Sequence, residues 1–385
     1  MSVLGLALRN LRRNRLRVAL TVLAGALAIV AFVVLRTVVS AFHVWADNAT
    51  PGRIVTRHRL AEEMGLPLRY LELVRAVPGV ALANHGLVVR GRDPRRPRVS
   101  VAAVAVDAPS FLAVFDEIVL PDPARQRWLD NRSGAIVGDQ LARALGVKAG
   151  DKLTLATGRA SFELAVEGVY TVSRPTYGRR WLMFHYALHN ETVPPEQRDR
   201  VRRIYVRVAD PGRTTEVAQA IDAALASEAV PALTETEHAE NAAVVSGFAA
   251  ILVAVQVGSV AMAAIMILLL ANTIAMGVRE RRAEHATLFA LGFDARFVSS
   301  LVVLEAMLVG ALSAVAGLCL AYPFVNVLLR GWLEGGLGIV PHFRTAPITW
   351  AAALLVAVGS SVLAALVPAL RAARTDVTVA LRAVG

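Results

Sequence analysis

Cysteine and lysine are almost missing from this chain of 385 residues. Cys319 is the one cysteine and lies inside an apolar run, so no disulfide framework and no cysteine-based metal site can form within one copy. The only lysines are Lys148 and Lys152, and neither follows a glycine. A nucleotide-binding P-loop needs a glycine-rich turn closing in Gly-Lys-Ser/Thr, because the lysine must reach the terminal phosphates. A chain without one does not hydrolyse ATP in that way by itself, so energy comes from another subunit or is not needed. There is no Gly-x-Ser-x-Gly elbow and no His-Glu-x-x-His motif, and the four-residue spacing of His185 and His189 encloses no glutamate. No catalytic, cofactor-binding or metal-binding residue is expected, and the chain reads as a non-enzyme.

Charge is sparse as well, at 18% of residues against 56% hydrophobic, with a mean hydropathy of +0.53. That balance is a membrane protein's. The formal net charge of +11 raises the question of nucleic acid, and its placement answers it. Residues 43–243 carry 26 basic and 24 acidic side chains, leaving +9 in the apolar parts. Residues 1–17 contribute +5, residues 277–296 contribute +1 and residues 369–385 contribute +2. These three segments share one side of a four-span topology, so the excess reads as the positive-inside bias and not as a nucleic-acid surface.

Residues 1–17 hold five arginines and no acid, with Leu4, Leu8 and Leu11 on one stripe, as in a basic amphipathic helix on the cytoplasmic leaflet. The first span is expected over 18–42, longer than a signal-peptide core and therefore uncleaved. Residues 43–241 contain no run able to cross a membrane and alternate short β-like runs with helical ones, which predicts an α+β extracytoplasmic domain. Within it, about 108–199 is expected as an inserted β-rich subdomain. Residues 242–278 are apolar for about 55 Å of helix, against a hydrocarbon core of roughly 30 Å, so 242–276 is expected to be a span with a projecting stalk. A short charged segment over 277–294, a third span over 297–322, an external loop over 323–346, a fourth span over 347–368 and a basic tail over 369–385 complete the chain. Both termini are expected in the cytoplasm of a bacterium, beneath its inner membrane.

The stretch from Asn272 to Pro323 organises the rest. Between two spans lies Arg279-Glu280-Arg281-Arg282-Ala283-Glu284-His285, and Ala286, Phe289, Ala290 and Phe293 fall at i, i+3, i+4 and i+7 on one helical face. Gly292 suits a helix C-terminus needing positive φ, and Asp294 suits the next N-cap. This pattern of Val278, Arg279, Glu280, Arg281, Glu284, Leu288, Ala290, Leu291, Gly292 and Glu305, with the arginine-rich ends, resembles the permease domain of MacB/FtsX/LolC-type ABC systems.

The resemblance implies a permease subunit whose 277–294 segment is a coupling helix docking on a separate ABC ATPase. Arg279, Glu280, Arg281, Glu284, Leu288, Phe289 and Gly292 would form that contact. It also implies two ATPase copies binding ATP, a second permease copy or paralogue, an optional periplasmic adaptor and contact with membrane lipid. Export or extraction of a lipid, lipoprotein, peptide or drug would follow. The alternative is an FtsX-like signalling subunit activating an external cell-wall hydrolase. From residue physics alone the charged segment reads as a solvated turn, and the apolar face beneath it together with the resemblance favours the docking reading. Glu305, inside a span, is either functional or an interfacial carboxylate bonded to a neighbouring helix. Gln256, Asn272 and Asn326 are expected to form interhelical hydrogen bonds, and Gly310, Ala314 and Gly317 to form a close-packing stripe.

Overall fold

A computed structural model describes residues 3–47, 49–60, 64–158, 160–174, 178–332 and 344–373. The chain separates into two compact units, one helical and one built on a sheet. The helical unit contains α1 (Val3–Arg13) and α2 (Arg15–Asp47) at one end of the sequence. Among the described residues, four helices are long and apolar enough to cross a membrane, over Arg15–Val44, Ala249–Glu280, Ala295–Leu329 and Pro347–Ala372. The large domain is inserted between the first and second of them.

In that domain, β1 (Arg53–His58), β2 (Leu66–Pro67), α3 (Tyr70–Arg75), β3 (Val80–Arg92), β4 (Ser100–Val106) and α4 (Ala108–Val114) come first. They are followed by β5 (Ile118–Val119), α5 (Asp122–Asp130), β6 (Gly134–Gly138), α6 (Asp139–Leu145), β7 (Lys152–Ala156), β8 (Ser161–Val172), β9 (Trp181–His185) and α7 (Tyr186–Thr192). Then come β10 (Arg200–Val201), β11 (Arg203–Val208), α8 (Thr214–Leu225), β12 (Ala232–Thr236) and α9 (Glu237–Gly247). The main sheet runs β12-β1-β11-β3-β4-β9-β6-β8-β5, with β7 joining β3 and β8. Pairing is antiparallel except for β4 with β9 and β6 with β8. Helices and strands mix as an α+β domain requires.

The structure adds to the sequence reading in three places. The segment 108–199 does leave after β4 and return before β11, but its strands extend the same sheet. One core takes Ile54, Val206 and Ile221 from one part and Leu164, Leu182 and Phe184 from the other, and a second core around Phe111, Trp128, Ile136 and Tyr170 lies almost wholly within the segment. The strands β1, β9 and β12 escape a period-two reading. The sequence of β1, Arg-Ile-Val-Thr-Arg-His, looks amphipathic, yet Arg53 is 2% exposed. It is buried because it is fully partnered: it donates to both carboxylate oxygens of Glu117 (2.6 and 3.1 Å), to Glu237, to Thr50 Oγ1 and to the Val114 carbonyl, and lies over the Phe115 ring at 4.6 Å.

The third place is the stalk. The expected single helix through 242–276 is broken at Phe248, where α9 ends and α10 (Ala249–Glu280) begins. The Phe248 amide bonds the Val245 carbonyl at 3.0 Å, tightening the turn across Gly247, the weakest helix former there.

The remaining helices are α11 (Arg282–Ala290), α12 (Ala295–Pro323), a π-helical continuation (Phe324–Leu329), α13 (Arg330–Trp332) and α14 (Pro347–Ala373). The expected loop over 323–346 is thus helical as far as Trp332, while 333–343 and the tail from 374 lie outside the described residues. Small residues let α12 approach two neighbours closely. A Cβ on Gly310 would stand 1.7 Å from Ser361 Oγ of α14, and one on Gly317 would stand 2.8 Å from Ile29 Cβ of α2. Without hydrophobic drive between helices in lipid, such close backbone contact is what holds spans together.

Candidate functional site

The candidate site lies where α1, the end of α10, α11 and the start of α12 meet. Helix α11 stops by a local rule. Gly292 takes φ +89°, the Phe293 amide bonds the Leu288 carbonyl at 3.1 Å, and the Gly292 amide bonds the Phe289 carbonyl at 3.0 Å. These two bonds form the Schellman pattern, which needs a residue free of Cβ strain at that position. Asp294 then caps α12 by accepting from the Phe297 amide at 2.9 Å. The turn between the two helices is held at both ends.

Glu280, Arg281 and Glu284 of this segment pair with their own chain. Glu280 accepts two bonds from Arg17, each at 2.6 Å, and Glu284 pairs with Arg13. Arg281 donates to both oxygens of Glu305 at 3.0 and 3.1 Å and to the Asn10 carbonyl, while Asn10 Nδ2 also donates to Glu305. Three acids of three helices are therefore tied to the N-terminal segment. His285 beside them is 5% exposed with Nδ1 unpartnered, and burial together with the neighbouring Arg281 holds its pKa below the usual histidine value. Arg17, Arg281, His285 and Glu305 line a cavity of about 80 Å³.

The expected apolar stripe divides. Ala286 is buried, and Leu288 and Phe289 pack on Val298, Val302, Ala369 and Ala372 of α12 and α14. Ala290, Leu291 and Phe293 face outward, with Leu291 at 70% and Phe293 at 41% exposure. The Phe293 ring lies 4.5 Å from that of Phe297. Arg279 and Arg282 are exposed on the same segment. Glu305 is bonded to neighbouring elements, Asn326 Nδ2 donates to the Tyr322 carbonyl one turn back and to Thr345 Oγ1 at 3.5 Å ahead of α14, and Gln256 and Asn272 stand exposed on α10. Sequence reasoning missed Asn10, Arg13 and Arg17 as partners of the segment. An acid-free arginine run next to a segment with two glutamates was the available signal.

In the domain, His185 Nε2 meets the Trp128 carbonyl at 2.7 Å and His189 stacks on Phe162, so the two are spent on the core.

The described residues thus combine four apolar helices, a large α+β domain between the first and second, and a capped, charged helix between the second and third. Residues 18–224 match the MacB-like periplasmic core domain and residues 257–377 match the FtsX-like permease C-terminal family. The chain belongs to the FtsX/MacB-like family of ABC permeases, in which ATP hydrolysis lies in a separate subunit. Among solved structures it is similar to the periplasmic region of MacB from Actinobacillus actinomycetemcomitans (9% identity, 51% of this chain and 94% of that one, TM-score 0.41). It is also similar to the extracellular domain of the noncanonic ABC-type transporter YknZ from Gram-positive bacteria (8% identity, 48% and 100%, TM-score 0.38). No curated protein sequence matches it.

Proposed function

We propose that this permease relays the motion of two ATPase subunits from the 277–294 segment, through its spans, to the inserted domain, and so exports or extracts a lipid, lipoprotein, peptide or drug. It works with a second permease copy or a paralogue, and a periplasmic adaptor fits the same scheme. The family supports an ATPase partner, and the four apolar helices support an inner-membrane location. Both termini lie on the ATPase side, where the basic excess belongs. The match of residues 18–224 to the MacB-like domain supports this reading and not the activation of an external hydrolase.

The observation that carries it is the turn after α11. Leu291 and Phe293 are exposed beside Arg279 and Arg282, on a turn fixed by the Gly292 and Asp294 caps. Exposed apolar anchors within a basic rim, on a rigid mount, suit a protein partner. Glu280, Arg281, Glu284, Leu288 and Phe289 build the mount, and Leu291 and Phe293 make the contact. Copurification with the partner ATPase tests this. Leu291→Ser with Phe293→Ser should abolish copurification while the permease still inserts and folds. Retention of the ATPase by that variant would overturn the assignment.

A further inference from the structure

The N-terminal helix has a surface that the proposed function does not use. In α2, Gly25 meets Ser313 of α12 and Ile29 meets Gly317, so the two helices climb in step. Extended downward, that register would bring residue 17 level with Glu305. It is Asn10, two turns earlier, that bonds Glu305, so the chain turns at Asn14 and α1 lies across α12 instead of continuing the line of α2. Because α1 precedes the span Arg15–Val44 directly, it sits at the membrane boundary.

Three faces follow from its helical spacing. Ala7 is buried and Asn10 and Leu11 are half-buried on the side towards the bundle. Leu4 and Leu8, one turn apart, are 50% and 47% exposed on the next flank. Arg9 and Arg12 are exposed on the flank beyond, joined by Arg15 at the turn. The ion pairs of Arg13 with Glu284 and Arg17 with Glu280 fasten this segment without using those three arginines. Past the turn, Leu16 and Leu20 are 76% and 59% exposed on the span itself.

We propose that α1 and the start of α2 form a binding site for anionic phospholipid. Arg9, Arg12 and Arg15 donate to the headgroup phosphate oxygens, Leu4 and Leu8 lie in the interface, and an acyl chain follows Leu16 and Leu20. An acidic protein surface would satisfy the arginines but not the leucines that lead into the membrane. An amphiphile with a negative head satisfies both.

The test uses the full chain in lipid, with Cys319→Ala and a fluorophore on Leu20→Cys. Quenching by brominated phosphatidylglycerol is compared with quenching by brominated phosphatidylcholine, and their relative binding is read by competition. The anionic lipid should be preferred, and each of Arg9→Gln, Arg12→Gln and Arg15→Gln should reduce the preference about fivefold, as expected for roughly 1 kcal/mol per arginine near the surface. The triple change to lysine should keep most of it, which separates charge from loss of fold. Equal binding of the two lipids, a preference untouched by the triple glutamine variant, or no quenching by either lipid would each overturn the proposal.

Discussion

Arg17 and Glu280 form a two-bond ion pair that joins the start of the first span to the end of the second. With Arg13–Glu284 and Arg281–Glu305 it makes the N-terminal segment part of the device that mounts the coupling turn. The Arg17–Glu280 pair is exposed to solvent, so its contribution should be small. Arg17→Glu and Glu280→Arg should each lower the melting temperature of the purified permease slightly. The double reversal should recover most of the loss. Additive losses in the double variant would show that the two side chains do not interact.

A larger effect is expected at Arg53. Its side chain and that of Glu117 are both almost fully buried, at 1% and 2% exposure. Removing one partner leaves a buried charge alone, which costs about 3–5 kcal/mol, whereas replacing both by apolar residues often costs far less. Arg53→Met should therefore unfold the inserted domain more readily than Arg53→Met with Glu117→Met. Limited proteolysis of the full chain during heating reads the order, and greater resistance in the single variant would contradict it.

The inserted domain should also be acid-sensitive. His85 is 5% exposed with neither ring nitrogen hydrogen-bonded, and burial, opposed by Asp107 and assisted by Arg75, lowers its pKa to about 4. Burial lowers His189 to about 4 as well. Both are neutral in the fold at pH 7, while in the unfolded chain each takes up a proton near pH 6.5. The unfolded state thus binds more protons between pH 6.5 and 4, and stability is lost as pH falls through that window, by up to about 1.4 kcal/mol per histidine per pH unit. His85→Phe with His189→Phe should flatten the melting temperature between pH 6.5 and 4. An unchanged slope would place the acid sensitivity elsewhere.

Close packing gives a fourth expectation. Gly310→Leu must displace Ser361 and the Ala357 carbonyl, which a Cβ at Gly310 would approach to 1.7 and 3.1 Å. Overpacking of this kind costs about 1–3 kcal/mol or more. The variant should lose folded yield, judged by a monodisperse elution profile, whereas Gly359→Leu, with open space at its Cβ, should not. Equal yields would refute the close contact of α12 with α14.

The spans and the turn caps were legible in the sequence because their causes are local. An apolar run declares its length, and Gly292 followed by Asp294 declares a helix end and a helix start. What lay hidden depends on distant partners. The strand β1 looks amphipathic until Glu117 and Glu237 surround Arg53, and neither is near it in sequence. Phe289 looks like a free anchor, yet in the fold it is half-buried and packs on a cluster that includes Ala369 and Ala372, at the far end of the chain. The charges of 280–284 read as a docking face because their partners Arg13, Arg17 and Glu305 belong to other helices. Helical periodicity shows that residues share a face and is silent on which neighbour covers that face.

The most direct measurement is ATP turnover by the partner ATPase with the permease reconstituted in lipid, set beside the permease's own melting temperature. Leu291→Ser with Phe293→Ser removes the two exposed anchors and should abolish the permease-dependent change in turnover while leaving the melting temperature near that of the parent. Losing buried interface anchors costs about 2–4 kcal/mol of binding. Phe289→Ala should do the reverse in emphasis, lowering the melting temperature by opening the packing against Val298 and Ala369. If the Leu291 and Phe293 double variant regulates the ATPase as the parent does, the turn after α11 is not the coupling surface and the account fails.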